Sequence, residues 1–171
     1  MFSEAVWQHE RIYLPSDFRP YNNQPRLVLR TQVSQPDQPA TYTLLLKRHI
    51  EDSGVDWAHA TPVGDYTEAS AIVHQLGYRK VAEIARQREE LRLDDYMVMY
   101  LDTLEGMDGA FLKLEGELVE DVPVSLLRDS MFETLRLLDL EAFTIQTYAE
   151  LALNPPQLYY LPEAQQGEIS A

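Results

Sequence analysis

Polar residues recur at every second position in three consecutive segments between Leu76 and Glu117. They are Arg86 and Arg88, then Tyr100 and Asp102, then Lys113, Glu115 and Glu117. In a strand, side chains two residues apart lie on the same face. The three segments therefore predict strands that place charges of both signs along one surface of a sheet, with Leu112 and Leu114 packed behind it. A solvated outer face would give the same pattern for any single pair.

The segment from Val81 to Leu91 carries two conflicting patterns. Its sequence is rich in Ala, Glu, Gln and Arg, which favour helices, and its apolar residues recur at helical spacing. A strand would place Arg86 and Arg88 on one face, whereas a helix, at about 100° per residue, would separate them. The local pattern alone favours a helix here.

The remaining segments alternate between strand patterns and turn signals. Strands are predicted over Val6 to Leu14, Arg26 to Val33, Thr41 to Arg48 and Val55 to Val63. A helix is expected to begin near Asp65 or Thr67 and to end at Gly77, and a second amphipathic helix is expected over Val124 to Leu140. We expect one domain over residues 1–155 and a C-terminal tail over residues 156–171.

Composition excludes several classes of function. The chain of 171 residues has a net charge of −14 and no cysteine. An acidic surface does not favour nucleic acid or anionic lipid, because that affinity comes from Lys and Arg meeting phosphates. Without cysteine there is no disulfide, thiolate nucleophile or thiolate metal site. No apolar run predicts a signal peptide or a membrane span, so a cytoplasmic protein is expected.

Three strings in the central region, LGYRKVAEIARQRE, YLDTLEG and GAFLKLEGE, resemble the second half of CYTH domains. These domains include class IV adenylate cyclases, thiamine triphosphatases and inorganic triphosphatases, and they fold as a triphosphate tunnel. The later stretch LEAFTIQTYAELAL resembles the closing helix of the family, at Thr147, Tyr148, Glu150 and Leu151. The resemblance covers about Trp7 to Leu153. It implies an α+β fold, an antiparallel β-barrel with helices packed outside, and it favours a strand over Val81 to Leu91.

The resemblance also implies that basic side chains point into the lumen and hold a triphosphate. These are Arg30, Lys47, Arg86, Arg88 and Lys113. Such confinement strengthens binding, because a contact ion pair is worth roughly 1 kcal/mol in water but about 4 kcal/mol at an effective dielectric of 20. The match is incomplete, since Gln32 and Leu45 replace an arginine and a threonine of the family motifs.

Fewer residues of this chain match the acidic positions of the family motifs. Lys113 takes the place of one carboxylate, which leaves Asp102, Glu115 and Glu117 as candidate ligands for a weak Mg²⁺ or Mn²⁺ site. The Glu-x-Glu-x-Lys motif of the family's first strand has no counterpart before Val6. We therefore expect an incomplete barrel without its first strand, whose open edge is covered by a second copy in a homodimer, by the N-terminal segment or by a helix.

Two hypotheses about function follow from the resemblance. In the first, the chain binds a nucleotide or another organic or inorganic triphosphate, and its activity, if any, is that of a metal-dependent triphosphatase or of an adenylate cyclase. The ammonium of Lys113 would then stand where a metal charge acts elsewhere, giving binding without metal. In the second, the chain is a catalytically inactive CYTH-like pseudoenzyme that serves as a binding or interaction module.

Overall fold

The computed structural model describes residues 2–17, 25–35, 37–50, 55–117, 123–144, 147–148, 151 and 158–161. The chain forms two compact units, Met1–Glu117 and Leu118–Ala171. The elements of the first are β1 (Val6–Pro15), β2 (Arg26–Val33), β3 (Thr41–Ile50), β4 (Val55–Val63), α1 (Tyr66–Gln75), β5 (Tyr78–Arg92), β6 (Met97–Leu104) and β7 (Phe111–Gly116). Those of the second are α2 (Val124–Leu137), β8 (Ala142–Phe143) and β9 (Tyr159–Tyr160).

The first unit is built on one antiparallel sheet of seven strands in the order β4-β3-β2-β1-β5-β6-β7. β1 pairs with β2 on one side and with β5 on the other, so it lies at the centre of the sheet. The expectation of a missing first strand is therefore wrong. The Glu-x-Glu-x-Lys motif is absent, but an N-terminal strand is present and cannot serve as cover for an edge.

The central segment is a strand and not a helix. β5 runs over Tyr78–Arg92 and pairs with β1 and with β6. Its backbone hydrogen bonds go to two neighbouring strands, and this tertiary pairing overrides the helical preference of its residues. Arg86 and Arg88 consequently lie on the same face, as the strand interpretation predicted.

One face of the sheet packs on α1 and holds an apolar core. α1 begins at the cap residue Asp65, whose side chain accepts a hydrogen bond from the Glu68 backbone N–H at 2.9 Å. It ends before Gly77, which has a φ of 85° that glycine adopts without strain. The core cluster comprises Tyr13, Leu27, Leu29, Ala69 and Val73. We call this side of the sheet the convex face.

The opposite, concave face is the side toward which the sheet curls. β3 and β7 are separated in the sheet by β2, β1, β5 and β6. In a flat sheet that separation is about 24 Å, because neighbouring strands lie about 4.8 Å apart. Nevertheless, Lys47 on β3 interacts electrostatically with Lys113 and Glu115 on β7. The two arms of the sheet therefore approach each other, and the first unit is a curled half-barrel.

A β-bulge in β5 changes which face of the sheet its side chains point to. The register between β1 and β5 shifts between Ile12 and Tyr13, so Val81 has no partner residue in β1. Since side chains alternate, this extra residue turns Tyr78 toward the convex face although Arg86 points to the concave one. Tyr78 packs against the core cluster there.

The second unit contains α2 and a short two-stranded antiparallel sheet formed by β8 and β9. Ala142 pairs with Tyr160 and Phe143 with Tyr159, so part of the predicted tail forms a strand. The stretch that was predicted as the closing helix is extended at Ala142–Phe143, and Tyr148 and Leu151 are helical. Its remaining residues, Glu150 among them, and residues 162–171 lie outside the described part of the chain. The boundary predicted after residue 155 stays a prediction.

The described part of the chain contains two helices with defined bounds, α1 and α2. Neither α1 nor α2 is both long enough and apolar enough to cross a bilayer.

The core under α1 should dominate the stability of the first unit. Leu29 has no exposed surface, so Leu29→Ala should lower the free energy of unfolding by about 2–5 kcal/mol through lost burial and the cavity left behind. Leu76→Ala removes the same atoms from a side chain that is 66% exposed and should change it by about 0.5 kcal/mol or less. Urea denaturation followed by circular dichroism measures both, and equal losses would contradict this assignment of the core.

Candidate anion-binding site

The concave face gathers the basic residues singled out in the sequence. Strand alternation and register place Arg30 on β2, Lys47 on β3, Arg86 and Arg88 on β5 and Lys113 on β7 on this one surface. Pairing between strands then sets their neighbours, because residues directly opposite each other lie side by side. The face is therefore a continuous band of charged and amide side chains across the curled sheet.

Arg86 lies at the centre of this band and is only 3% exposed. Its Nε and Nη2 atoms donate to Gln8 Oε1 at 3.0 and 2.7 Å. Nη2 also donates to Glu10 Oε1 at 2.7 Å, and Nη1 donates to Glu10 Oε2 at 3.3 Å. A buried guanidinium is tolerated only with such partners, so β1 supplies the groups that make burial of Arg86 possible.

Glu10 joins Arg86 to Arg30. Arg30, directly opposite Glu10 in the register of β1 and β2, donates to Glu10 Oε1 from Nε at 2.7 Å. Burial raises the pKa of the Glu10 carboxyl, but the charges of Arg86, Arg30 and Lys47 outweigh burial and hold that pKa well below its usual range. Glu10 is thus a carboxylate shared by two guanidinium groups.

Arg88 forms the second buried ion pair. Its Nε and Nη2 atoms donate to the two carboxylate oxygens of Asp102, each at 2.6 Å, and Asp102 has no exposed surface. The two residues face each other across β5 and β6, which suits the fork geometry of this pair. The Arg88 guanidinium also lies over the Tyr100 ring, 4.1 Å from its centroid.

Two lysines complete the face. Lys113 donates to Glu115 on its own strand. Burial raises the pKa of Glu115, but Lys113 and then Lys47 and Arg88 lower it to about 2. For Lys47, burial and the neighbouring Lys113 charge lower the pKa of the ammonium to about 8, although Glu10 and Glu115 oppose this change. Lys47 forms no direct ion pair with any residue of the described part of the chain.

The predicted metal ligands do not converge. Both oxygens of Asp102 are engaged by Arg88, and Glu115 is engaged by Lys113. Glu117 is exposed and follows the end of β7. Across the described ranges, no group of three or more His, Asp or Glu side chains could hold a metal ion. These residues therefore do not fit a Mg²⁺ or Mn²⁺ site in this arrangement.

The site includes four residues that the sequence reasoning missed as site residues. Gln8 and Glu10 bind Arg86, Gln32 binds Gln8, and Tyr100 lies under Arg88. The signal for the first two was the alternation of Val6 to Leu14, which placed both on one face. The acidic motif of the family was expected before Val6, whereas Glu10 lies within β1.

The buried pair between β5 and β6 yields a stability prediction. Asp102→Asn should lower the free energy of unfolding by about 3–5 kcal/mol, because Arg88 is left buried without a carboxylate. Asp108→Asn, the same change in an exposed turn, should cost about 0.5 kcal/mol or less. Replacing both partners by Arg88→Met and Asp102→Leu should recover much of the loss. Chemical denaturation gives these values, and an unchanged stability of Asp102→Asn would contradict the pairing.

Comparison with known proteins shows the fold and no more. No family model matches the chain, and no curated protein matches its sequence. Solved structures do match. A Pyrococcus horikoshii protein has a TM-score of 0.78 and 20% identity over 90% of this chain and 86% of its own. A conserved hypothetical protein from Pyrococcus furiosus has a TM-score of 0.66 and 20% identity over 88% and 85%.

A third similar structure carries a functional name. A proposed adenylate cyclase from Vibrio parahaemolyticus has a TM-score of 0.68 and 19% identity, and the match covers 90% of this chain and 83% of that one. At this identity the likeness establishes architecture and not activity. The predicted fold class is confirmed: the chain has an antiparallel α+β fold whose seven-stranded sheet curls into a half-barrel.

Proposed function

We propose that the concave face binds a small molecule that carries a triphosphate, and that it does so without a divalent metal. The ligand class includes nucleotides and other organic or inorganic triphosphates. The likeness to a proposed adenylate cyclase supports a nucleotide among these candidates. Fold alone does not assign the ligand, so the support must come from the charges on this face.

The placement of Lys47 on β3 and Lys113 on β7 on the same concave face is the observation that carries the proposal. These two ammonium groups come from opposite arms of the sheet, and the charge of Lys113 helps to lower the pKa of Lys47. Like charges held close together in a half-buried groove repel each other, and an anion placed between them would relieve that repulsion. In a chain of net charge −14, such a concentration of positive charge on one face favours an anionic ligand.

Binding without metal follows from how the carboxylates are used. Asp102 and Glu115 are each engaged by a cation, so in the described part of the chain they form no oxygen cage for a metal ion. Lys113 instead supplies a fixed positive charge at the rim of the groove. We assign binding to this face; hydrolysis would require in addition a group that orients and activates water.

A second candidate function is an interaction module without a small-molecule ligand. The buried arginines favour it, because Arg86 and Arg88 are 3% and 5% exposed and are already paired with carboxylates. In that case the ion pairs act only to hold three strands together. A homodimer formed at an end strand of the sheet stays a prediction; β4 and β7 are the end strands in the described part of the chain.

The two candidates give opposite results in a binding measurement. Isothermal titration calorimetry of inorganic tripolyphosphate should show saturable binding that persists in excess EDTA. Lys47→Ala and Lys113→Ala should each weaken it about tenfold or more, because each removes a unit charge from a low-dielectric groove. Lys80→Ala is the matched control, since Lys80 has a side chain 47% exposed and pairs with Glu83 on the other face. Absence of saturable binding by the wild type would favour the interaction module, equal affinity of all three variants would show that the two lysines do not contact the ligand, and loss of binding on chelation would reject metal independence.

The lowered pKa of Lys47 gives the binding a defined pH dependence. Below about pH 8 its amine is protonated and attracts the anion, whereas above about pH 8 the amine is neutral in the free protein. Affinity for tripolyphosphate should therefore fall as the pH rises from 7 to 9. Lys47→Arg should remove most of this decrease, because a guanidinium stays charged throughout that range. Parallel slopes for the wild type and the variant would show that Lys47 does not contact the ligand.

A further inference from the structure

A cavity of about 210 Å³ opens on the concave face among β1, β2, β5 and β6. Arg30, Gln32, Arg88 and Tyr100 contribute to its wall, and Glu90 also lines it. The guanidinium groups of Arg30 and Arg88 are already paired with Glu10 and Asp102. The hydrogen-bonding groups that this cavity presents to a ligand therefore depend strongly on the uncharged side chain of Gln32.

A chain of hydrogen bonds fixes how Gln32 is oriented. Arg86 can only donate, and it donates from two nitrogens to Gln8 Oε1 at 3.0 and 2.7 Å. Gln8 must therefore turn its Nε2 away from Arg86, and that nitrogen donates to Gln32 Oε1 at 2.8 Å. With its oxygen occupied as an acceptor, Gln32 is left with Nε2 as its remaining polar group.

The reverse orientation of either amide is unfavourable. Turning Gln8 would place its NH₂ group against two N–H donors of a nearly buried guanidinium, with no acceptor between them. Turning Gln32 alone would place its NH₂ group against that of Gln8. Arg86 thus determines, through Gln8, that Gln32 meets the cavity as a donor. Within the described residues, no hydrogen bond uses Gln32 Nε2.

We infer that Gln32 is a specificity-determining residue that donates an uncharged hydrogen bond to a phosphoryl oxygen of the ligand, and that Gln8 is the positioning residue that holds it in this state. The inference rests on the proposed triphosphate binding. Arg30, Arg88 and Gln32 then place three donors in the wall, which suits an oxyanion, and Glu90 is the one carboxylate among the described residues that line the cavity. An uncharged donor adds a directed contact to this wall without adding a further positive charge that would need a carboxylate partner.

The orientation can be tested without any ligand. In ¹⁵N-labelled protein, the side-chain amide signals of the two glutamines are assigned from the variants Gln8→Glu and Gln32→Glu. The Gln8 NH₂ group, which donates to Gln32, should exchange with solvent more slowly than the Gln32 NH₂ group. The opposite order would overturn the inference whatever the protein binds.

Tripolyphosphate then tests the contact itself. Its addition should shift the Gln32 amide signal, and Gln32→Leu should weaken binding about tenfold to a hundredfold, as expected for a lost hydrogen bond to a charged group. Gln87→Leu is the matched control, because Gln87 is an exposed glutamine of β5 on the convex face. Its affinity should equal that of the wild type.

A double-mutant cycle shows whether Gln8 positions Gln32 for ligand binding or only stabilises the fold. Gln8→Glu keeps an acceptor for Arg86 but cannot donate to Gln32, which should then turn its Nε2 toward Glu at position 8 and its oxygen toward the cavity. Gln8→Glu should therefore weaken binding, and adding Gln32→Leu to it should cost less than about threefold more. Fully additive losses would overturn the role of Gln8. Loss of thermal stability with unchanged affinity would show that the glutamine pair is only structural.

The outcomes also separate this inference from the proposed function. If the wild type binds tripolyphosphate but Gln32→Leu binds it equally well, the inference fails and the proposed function stands. If the wild type shows no binding at all, the proposed function fails, and the role of Gln32 toward a phosphoryl oxygen fails with it.

Discussion

The burial of two arginines on β5 is the constraint on which the rest of the first unit depends. A guanidinium that is nearly removed from water destabilises the fold by several kcal/mol unless carboxylates surround it. Glu10 on β1 and Asp102 on β6 provide those carboxylates from either side of β5. The central three strands are therefore joined by ion pairs on the concave face, while apolar packing under α1 joins strands on the convex face.

These ion pairs also specify the register of the sheet. A shift of one residue in either neighbour of β5 would turn Glu10 or Asp102 to the convex face and separate it from its buried arginine. The polar band thus contributes specificity to strand pairing as well as the chemistry of the groove.

Strands β1 to β4, β6 and β7 and the first helix with its cap could be predicted from residue patterns. For β5 the local pattern favoured a helix, and only the family resemblance favoured a strand and a basic face. Arg86 and Arg88 were placed on one surface because β5 was interpreted as a strand, and the structure confirms that interpretation. The proximity of Lys47 to Lys113 could not be predicted, since it arises from curvature accumulated over several strands. Nor could the partners Gln8 and Glu10, whose role depends on the centre position of β1. That position is decided by pairing with β5 across 63 to 82 residues of chain.

The bulge at Val81 has a consequence for how this protein can change. Without the extra residue, Tyr78 and Arg86 would be locked to the same side of β5, and a change in length at one end of the strand would rotate the other. With the extra residue, the strand behaves as two segments, and in each segment the alternation of side chains between the two faces is set separately. The hydrophobic contacts of one half and the ligand contacts of the other can then diverge independently, which suits a scaffold that acquires new ligands while its stability is conserved.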